Sequence, residues 1–250
     1  MSPDEVLILV APGLATVLGG FSLLFVRRAS QVSLDILLGF TAGIMLAASL
    51  FSLLLPSLDQ GSLWKVLIGL MLGALVLMAA DHAIPHLHPR LRERDETTTP
   101  SGDVTRRATL LLSAMTIHNV PEGMAVGVAL AAGGPELGLP IAIAIGVQNI
   151  PEGFAAAAPL LETTMPRRRV AAIGAATGLV EPPAALAAYA AVSYAEVLLP
   201  FALAFAAAAM LYVIVDELLP EAAARGNERE ATMAFFLGFM LMMVLDVSLG

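Results

Sequence analysis

Long apolar runs constrain the fold of this chain more than any other feature. A helix that crosses a bilayer needs roughly 20 mostly apolar residues, and this chain of 250 residues contains eight such runs. They lie at about 4–26, 33–56, 63–85, 108–132, 138–161, 170–194, 197–220 and 231–249. Only 14% of the residues are charged, whereas about a quarter are charged in soluble domains. The sequence therefore predicts an all-α integral membrane protein with eight transmembrane helices.

The basic residues are distributed so unevenly between the connections that they predict an orientation. Arginine and lysine concentrate in the cytoplasmic loops of membrane proteins. Twelve of the 13 basic residues fall in the first, third, fifth and seventh connections, and only Lys65 falls on the other side. Both termini are therefore expected outside the cytoplasm. The polar residues 89–107 are expected to form a mobile cytoplasmic loop within a single transmembrane domain, 1–250.

The composition excludes several kinds of function. The chain has no cysteine, so it forms neither a disulfide framework nor a thiolate metal site. It also has no basic stripe with interleaved aromatic residues, so no nucleic-acid partner is expected. The lipid bilayer is the partner expected around the apolar helices.

The pattern Asn-x-Pro-Glu-Gly occurs twice, at residues 119–123 and 149–153, in the fourth and fifth predicted spans. His118 precedes the first copy and Gln148 precedes the second. Each of these residues is four positions before the glutamate of its copy, so the two side chains share one helix face. Four identities repeated in otherwise apolar segments are improbable by chance, which makes this repeat the most specific signal in the chain.

Both copies of the motif are expected near the middle of the bilayer. Each lies about 10 residues inside its span, or about 15 Å at 1.5 Å per residue, and the hydrocarbon core is about 30 Å thick. A carboxylate at that depth costs several kcal/mol unless it is paired or binds a cation. No lysine or arginine lies mid-span to pair with Glu122 and Glu152. We therefore predict a bound divalent metal ion there, with a protonated glutamate in a kinked helix as the alternative.

The prolines of the two motifs fit the same interpretation. Pro121 and Pro151 have no N–H, so the carbonyls of Ile117 and Val147 are left without their usual helical partner. Such carbonyls are tolerated at membrane depth where they face a cavity or find another partner. Helices broken at the midplane in related parts of a chain are typical of transporter binding sites.

Other polar residues accompany the motif. Glu181, which two prolines follow, lies about 11 residues inside the sixth span and is a third carboxylate at mid-depth. Asp216 and Glu217 lie at the end of the seventh span, and Asp81 and His82 lie at the end of the third. These four are predicted to form a cytoplasmic exit path for the metal, with a solvated helix cap as the alternative. The tripeptide Leu-Leu-Pro occurs at 54–56 and at 218–220, which would suit an inverted repeat.

These residues resemble those of the ZIP (Zrt/Irt-like protein) divalent metal transporters, especially the GufA-like bacterial branch. The resemblance covers the eight spans, the external termini, the polar third connection and the paired motifs. It implies a 3+2+3 inverted repeat and a binuclear metal centre in a bacterial inner membrane. By this resemblance, the first metal site would use His118, Glu122, Gln148, Glu152 and Glu181. The second would use Asn119, Glu122, Asn149 and Glu152, with the two motif glutamates bridging the ions.

The chain departs from many members of that family at two positions. Gln148 stands where many members have histidine, and glutamine at this position resembles the GufA-like branch. Asn149 stands where some members have aspartate, and the lower negative charge should weaken the second site.

The expected function is uptake of a divalent transition metal into the cytoplasm, without enzymatic activity. The mixed oxygen and nitrogen donors suit Zn²⁺, the leading substrate, and also Fe²⁺, Mn²⁺, Cd²⁺ and Co²⁺. A membrane-embedded di-metal enzyme is the alternative, but only one histidine lies at mid-depth and no His-Glu-x-x-His motif occurs. A third interpretation is a structural protein in which the polar residues only hold helices together. Assembly into a homodimer is left open.

Overall fold

The computed structural model describes residues 1–26, 30–83 and 100–249. Almost all of these residues are helical. In chain order we label the helices α1 (Pro3–Ser22), α2 (beginning with Gln31–Ala47), α3 (Leu63–Ala83), α4 (100–132), α5 (135–157), α6 (beginning with Arg167–Thr177), α7 (beginning with Leu199–Val213) and α8 (Glu228–Leu249). Short 3₁₀ turns follow α5 at Ala158–Glu162 and precede α7 at Glu196–Leu198.

The first helix begins at a capping box. The Ser2 hydroxyl accepts a hydrogen bond from the Glu5 backbone N–H at 3.2 Å, and the Glu5 carboxylate accepts one from the Ser2 N–H at 2.6 Å. This exchange satisfies two donors that the first turn leaves free. Pro3 occupies the first helical position, where a missing N–H costs nothing. The polar residues at the N-terminus therefore set where the apolar helix starts.

Helices α2 and α7 change their winding immediately before a proline. Pro56 and Pro220 have no N–H to donate to the carbonyl four residues earlier, and a wider π-helical turn accommodates the missing bond. The π-helical turns are Ala48–Leu54 in α2 and Ile214–Leu218 in α7, and the helices continue as Leu55–Gln60 and Leu219–Ala222. The repeated Leu-Leu-Pro tripeptide thus lies at equivalent changes of winding in both helices.

Helix α6 contains a tight 3₁₀ turn, whereas α2 and α7 contain wider π-helical turns. Its first part ends at Thr177, a 3₁₀ turn occupies Gly178–Val180, and the helix continues as Glu181–Tyr194. Pro182 and Pro183 fall in the first turn of this second part, where their missing N–H groups are tolerated. Glu181 consequently lies at a junction between two helical pieces.

Two glycines separate α4 from α5 within the long helical segment Pro100–Ala157. Gly133 has φ −138° and ψ 17°, and Gly134 has φ 62° and ψ −155°, a conformation that is essentially restricted to glycine. Across this turn, Gln148 Nε2 donates a 2.7 Å hydrogen bond to Glu122 Oε1. In a straight helix these residues, 26 positions apart, would be separated by about 39 Å. Helix α5 therefore runs back alongside α4 in the opposite direction.

Seven helical stretches among the described residues are long and apolar enough to cross a membrane. The longest, Thr116–Ala157, has 42 residues and contains both copies of the motif, which the sequence analysis placed in two separate spans. Large apolar side chains such as Trp64, Leu67 and Met71 on α3 are exposed, which suits lipid and not water. The prediction of an all-helical integral membrane protein is confirmed.

The predicted loop 89–107 differs from the structure at its end. The helix begins at Pro100, so residues 100–107 are helical although the sequence analysis placed them in the loop. Proline is favoured in the first turn of a helix, where its fixed φ suits the helix and its missing N–H is not needed. The rest of the predicted loop lies outside the described residues.

Glycines of α2, α3 and α4 lie directly against the backbones of α8, α7 and α6 respectively. Because glycine has no side chain, it allows two helix backbones to approach this closely. The successive contacts are Gly39 with Ala231 and Gly43 with Phe235, Gly69 with Phe201 and Gly73 with Phe205, and Gly123 with Glu181 and Gly127 with Ala185. Both members of each pair advance by four residues, so the paired helices run in the same direction.

Helix α1 packs against α5 and α6. A Cβ atom on Gly13 would lie 2.6 Å from the Gly178 carbonyl oxygen and 2.8 Å from Pro182 Cδ. On another face of α1, Gly19 lies against the backbone of Ile150. Helices α1, α4, α5 and α6 therefore form one closely packed group, and this group contains both copies of the repeated motif.

Candidate metal centre

The seven residues predicted to bind metal are all buried. Their exposed fractions do not exceed 4%. They are His118, Asn119 and Glu122 on α4, Gln148, Asn149 and Glu152 on α5, and Glu181 on α6. The i and i+4 spacing in each motif places its polar side chains on the face where α4 and α5 meet. The structure thus brings residues from three helices into one polar cluster.

Glu122 and Glu152 lie at the centre of this cluster. Their carboxyl groups interact with each other, and Glu152 also interacts with His118. Gln148 Nε2 donates a 2.7 Å hydrogen bond to Glu122 Oε1. Two carboxylates in apolar surroundings repel each other unless a cation or a proton compensates their charge. The pair therefore requires a cation or a proton between the two carboxyl groups.

Five buried oxygen atoms in the cluster accept no hydrogen bond from the described part of the chain. A buried polar atom without a partner typically costs about 1–3 kcal/mol, so a group of them calls for an explanation. The atoms are Asn119 Oδ1, Glu122 Oε2, Gln148 Oε1, Asn149 Oδ1 and Glu152 Oε2. All five are acceptors and all belong to the two motifs. A positive ion among them would satisfy the whole set at once.

Glu181 is held by hydrogen bonds from three other helices. Thr16 Oγ1 donates to Glu181 Oε1 at 2.6 Å, and Asn119 Nδ2 donates to the same oxygen at 3.3 Å. Asn149 Nδ2 donates to Glu181 Oε2 at 2.7 Å. Sequence reasoning did not include Thr16, because one hydroxyl in an apolar helix gives no sign of a partner 165 positions away. The one sequence feature that marks this position is Pro12 in the helix interior, one helical turn before Thr16.

His118 connects the cluster to α7. Its Nε2 lies 2.8 Å from Glu217 Oε2, and the Glu217 side chain is 37% exposed. His118, Tyr212, Asp216 and Glu217 line one small cavity. Asp216 and Glu217 belong to the π-helical turn of α7, a kind of distortion that is frequent at functional sites. Two of the acidic residues predicted on the exit path, Asp216 and Glu217, therefore lie beside the buried motif.

Comparison with known proteins identifies the relatives of this chain. A family model described as ZIP zinc transporter matches residues 78–246. The chain is 40% identical over 247 residues to the zinc transporter GufA of Myxococcus xanthus, covering 95% of this chain and 96% of that protein. This chain belongs to the ZIP zinc transporter family.

Two further relatives show how far this ZIP family extends. The zinc transporter ZIPB of Bordetella bronchiseptica is 39% identical, covering 94% of this chain and 78% of that protein. The zinc transporter ZIP11 of Homo sapiens is 34% identical, covering 92% of this chain and 93% of that protein. The resemblance inferred from the motifs is confirmed, and membership of the ZIP family makes the chain a transporter and not an enzyme.

The cluster of this ZIP protein is not a finished coordination sphere. Among the residues that the structure describes, no group of three or more His, Asp or Glu side chains is arranged to hold a metal ion. Gln148 and the two asparagines present unpartnered amide oxygens there, and Glu181 accepts hydrogen bonds on both of its oxygens. The ligand sets implied by the family resemblance stay predictions.

The other two residues predicted on the exit path lie at the end of α3. Asp81 and His82 follow the apolar part of this helix, Leu63–Ala80, and the helix ends at Ala83. His82 is exposed. The structure therefore places this residue in the last described turn of α3.

Proposed function

We propose that this ZIP-family protein carries Zn²⁺ across the membrane into the cytoplasm and binds the ion between Glu122 and Glu152. The observation that carries the proposal is the group of unpartnered acceptor oxygens around these two buried carboxylates. Relatives that match almost the whole chain are named zinc transporters, which supports zinc as the substrate. Fe²⁺, Mn²⁺, Cd²⁺ and Co²⁺ are proposed as further substrates, because oxygen and imidazole donors accept each of them.

We propose that the site holds two ions bridged by the glutamates. Glu122 and Glu152 each have one unpartnered oxygen, and a carboxylate can bridge two ions through one shared oxygen or through both. The first ion position would be completed by His118 and Gln148, which precede the motifs, and by Glu181. Asn119 and Asn149 present their amide oxygens to the second position. With neutral amides in place of a carboxylate, the second position should bind its ion more weakly.

The proposed topology has eight spans, with both termini outside the cytoplasm, in one domain covering residues 1–250. An alternating path through the membrane requires odd-numbered spans to run in one direction and even-numbered spans in the other. Helix α2 is parallel to α8, α3 to α7 and α4 to α6, whereas α4 and α5 are antiparallel. These directions agree with the alternation. The matching π-helical turns in α2 and α7 support a 3+2+3 inverted repeat.

The exit path is proposed to begin at His118 and to continue through Glu217 and Asp216. These residues share a small cavity, and Glu217 is partly exposed. Asp81 and His82 would meet the ion later, at the cytoplasmic end of α3. A bacterial inner membrane is the proposed location, and a homodimer stays a prediction that mass measurement in detergent can check.

Zinc flux into liposomes tests the proposal. The reconstituted protein should move radioactive zinc, and Glu122→Gln and Glu152→Gln should each reduce the flux to the level of empty liposomes. Both substitutions keep the side-chain size and remove the charge that binds the cation. Glu136→Gln is the matched control, because this glutamate is exposed beside the turn between α4 and α5. Undiminished flux in both variants of the pair would refute the proposal.

A further inference from the structure

Helix α6 begins with three consecutive arginines, Arg167, Arg168 and Arg169, which we call the arginine patch. All three are exposed, whereas the next residue, Val170, is fully buried. The sequence contains no acidic residue from 163 to 180. None of the three arginines forms an ion pair with an acidic side chain that the structure describes. The patch is therefore an exposed concentration of positive charge.

Two other arginines on the same proposed side of the membrane have acidic neighbours. Arg225 forms ion pairs with Asp35 and Glu221. Arg229 is exposed and lies between two glutamates in the sequence. The charge of these two arginines is thus balanced locally, whereas the positive field of the arginine patch extends outward from the protein surface.

The distance along α6 is expected to place the arginine patch among the lipid headgroups. Arg168 is 13 residues before Glu181, which corresponds to about 20 Å at 1.5 Å per residue. Glu181 is predicted near the midplane of the bilayer. The hydrocarbon core extends about 15 Å from the midplane, and the headgroup layer ends at about 20–22 Å. The three guanidinium groups therefore reach the layer that contains the lipid phosphates.

An exposed aromatic side chain lies at the same end of the bundle as the arginine patch. Leu23, just after α1, is fully buried in one cluster with Val170 and Ala171 of α6. Phe25 follows two residues later and is 86% exposed. Exposed aromatic and cationic side chains together favour an anionic bilayer surface, because the ring contacts the apolar layer and the charge contacts the headgroups.

We propose that the arginine patch binds the phosphate groups of anionic phospholipids in the cytoplasmic leaflet. Guanidinium groups bind phosphate through paired hydrogen bonds as well as through charge. Each basic residue near an anionic surface strengthens binding about fivefold. The inference goes beyond the proposed function, because the ligand is a lipid and not zinc, and only the choice of leaflet follows from the proposed topology. The contact holds the start of α6, the helix that carries Glu181, at the membrane surface.

Fluorescence quenching by brominated lipids measures this preference next to the arginine patch. Trp64 is the only tryptophan in the sequence, so the variant Trp64→Phe, Phe25→Trp carries a single tryptophan, at the end of α1. In vesicles of phosphatidylglycerol and phosphatidylcholine, brominated phosphatidylglycerol should quench this tryptophan more strongly than brominated phosphatidylcholine. We expect a preference of at least about fivefold for phosphatidylglycerol. Combining Arg167→Gln, Arg168→Gln and Arg169→Gln should bring the preference close to one.

The controls separate the charge of the arginine patch from its packing. Replacing the same three residues by lysine keeps the charge and should keep most of the preference. Arg229→Gln removes an exposed arginine elsewhere and should leave the preference unchanged. Single glutamine substitutions should each lower the preference by a smaller factor, and they serve if the triple variant is not stable.

Salt distinguishes a lipid headgroup from free phosphate as the ligand of the arginine patch. Added potassium chloride should lower the preference, because salt screens exposed charges. Potassium phosphate at the same ionic strength should lower it equally. If phosphate abolishes the preference where chloride does not, the patch binds free phosphate and the lipid proposal is overturned.

The outcomes for the arginine patch and for zinc transport are independent, because the quenching assay contains no zinc. Equal quenching by both brominated lipids in the tryptophan variant overturns the lipid proposal. An undiminished preference in the triple glutamine variant also overturns it. In either case zinc flux into liposomes still decides the proposed function, and an absence of zinc flux leaves a measured lipid preference intact.

Discussion

A buried ion pair ties the beginning of α2 to the connection between α7 and α8. The Asp35 side chain is fully buried, and Arg225 Nη1 donates a 2.6 Å hydrogen bond to its Oδ1. Asn227 Nδ2 donates to Asp35 Oδ2 at 2.8 Å, and Arg225 also pairs with Glu221. Both oxygens of the buried carboxylate therefore have a donor, and one of the donors is charged.

Removal of Arg225 should destabilise the protein substantially. Breaking a buried ion pair from one side costs about 3–5 kcal/mol, because the remaining charge is left uncompensated. Arg225 is 18% exposed and Asn227 still donates to Asp35, so we expect the lower end of this range, about 3 kcal/mol, for Arg225→Met. The double variant Asp35→Leu, Arg225→Met removes both charges and should lie within about 1 kcal/mol of the wild type.

Reversible unfolding in mixed detergent and SDS micelles, followed by circular dichroism, measures these free energies. Arg229→Met is the matched control, because Arg229 is exposed one turn further along the chain and should change stability by less than about 0.5 kcal/mol. The reasoning is refuted if Arg225→Met is as harmless as the control. It is also refuted if the double variant is less stable than Arg225→Met, because then the partners contribute independently and no uncompensated charge is involved.

Two further predictions concern packing inside the bundle. Gly127→Ala should lower the free energy of unfolding by about 1–3 kcal/mol and reduce zinc flux, because its Cβ would collide with the Ala185 backbone of α6; unfolding and flux like those of the wild type would contradict the close approach. Thr41→Val should raise the free energy of unfolding by about 1 kcal/mol, because the substitution removes a buried hydroxyl that has no partner in the described part of the chain; a loss of stability in the same unfolding assay would show that the hydroxyl is bonded.

The apolar runs and the repeated motif predicted the helices and the meeting of Glu122 with Glu152. Both predictions rest on the same physical requirement, that groups in a bilayer core must find their partners within the protein. A buried carboxylate has few acceptable partners, so two of them at matching depth indicate a shared site. This is why the centre of the cluster could be predicted without coordinates.

Other features could not be predicted, because they depend on contacts distant in sequence or on weak local signals. The bond from Thr16 to Glu181 joins residues 165 positions apart, and an isolated hydroxyl in an apolar helix has many potential acceptors. The approach of Glu217 to His118 involves the π-helical turn of α7, which the sequence marks only by Pro220. The helical start at Pro100 was missed because residues 100–107 lack the apolar run that identified the other helices.

The glycine turn between α4 and α5 has a mechanical consequence. Gly133 and Gly134 are the only residues between the two helices, so the short connection limits how far one helix can shift along the other. The hydrogen bond between Gln148 and Glu122 joins the two helices of this hairpin. An ion held between Glu122 and Glu152, as proposed above, would therefore be bound by the two helices of one hairpin. Access to such an ion from either side of the membrane would then change through motion between this hairpin and the helices packed against it.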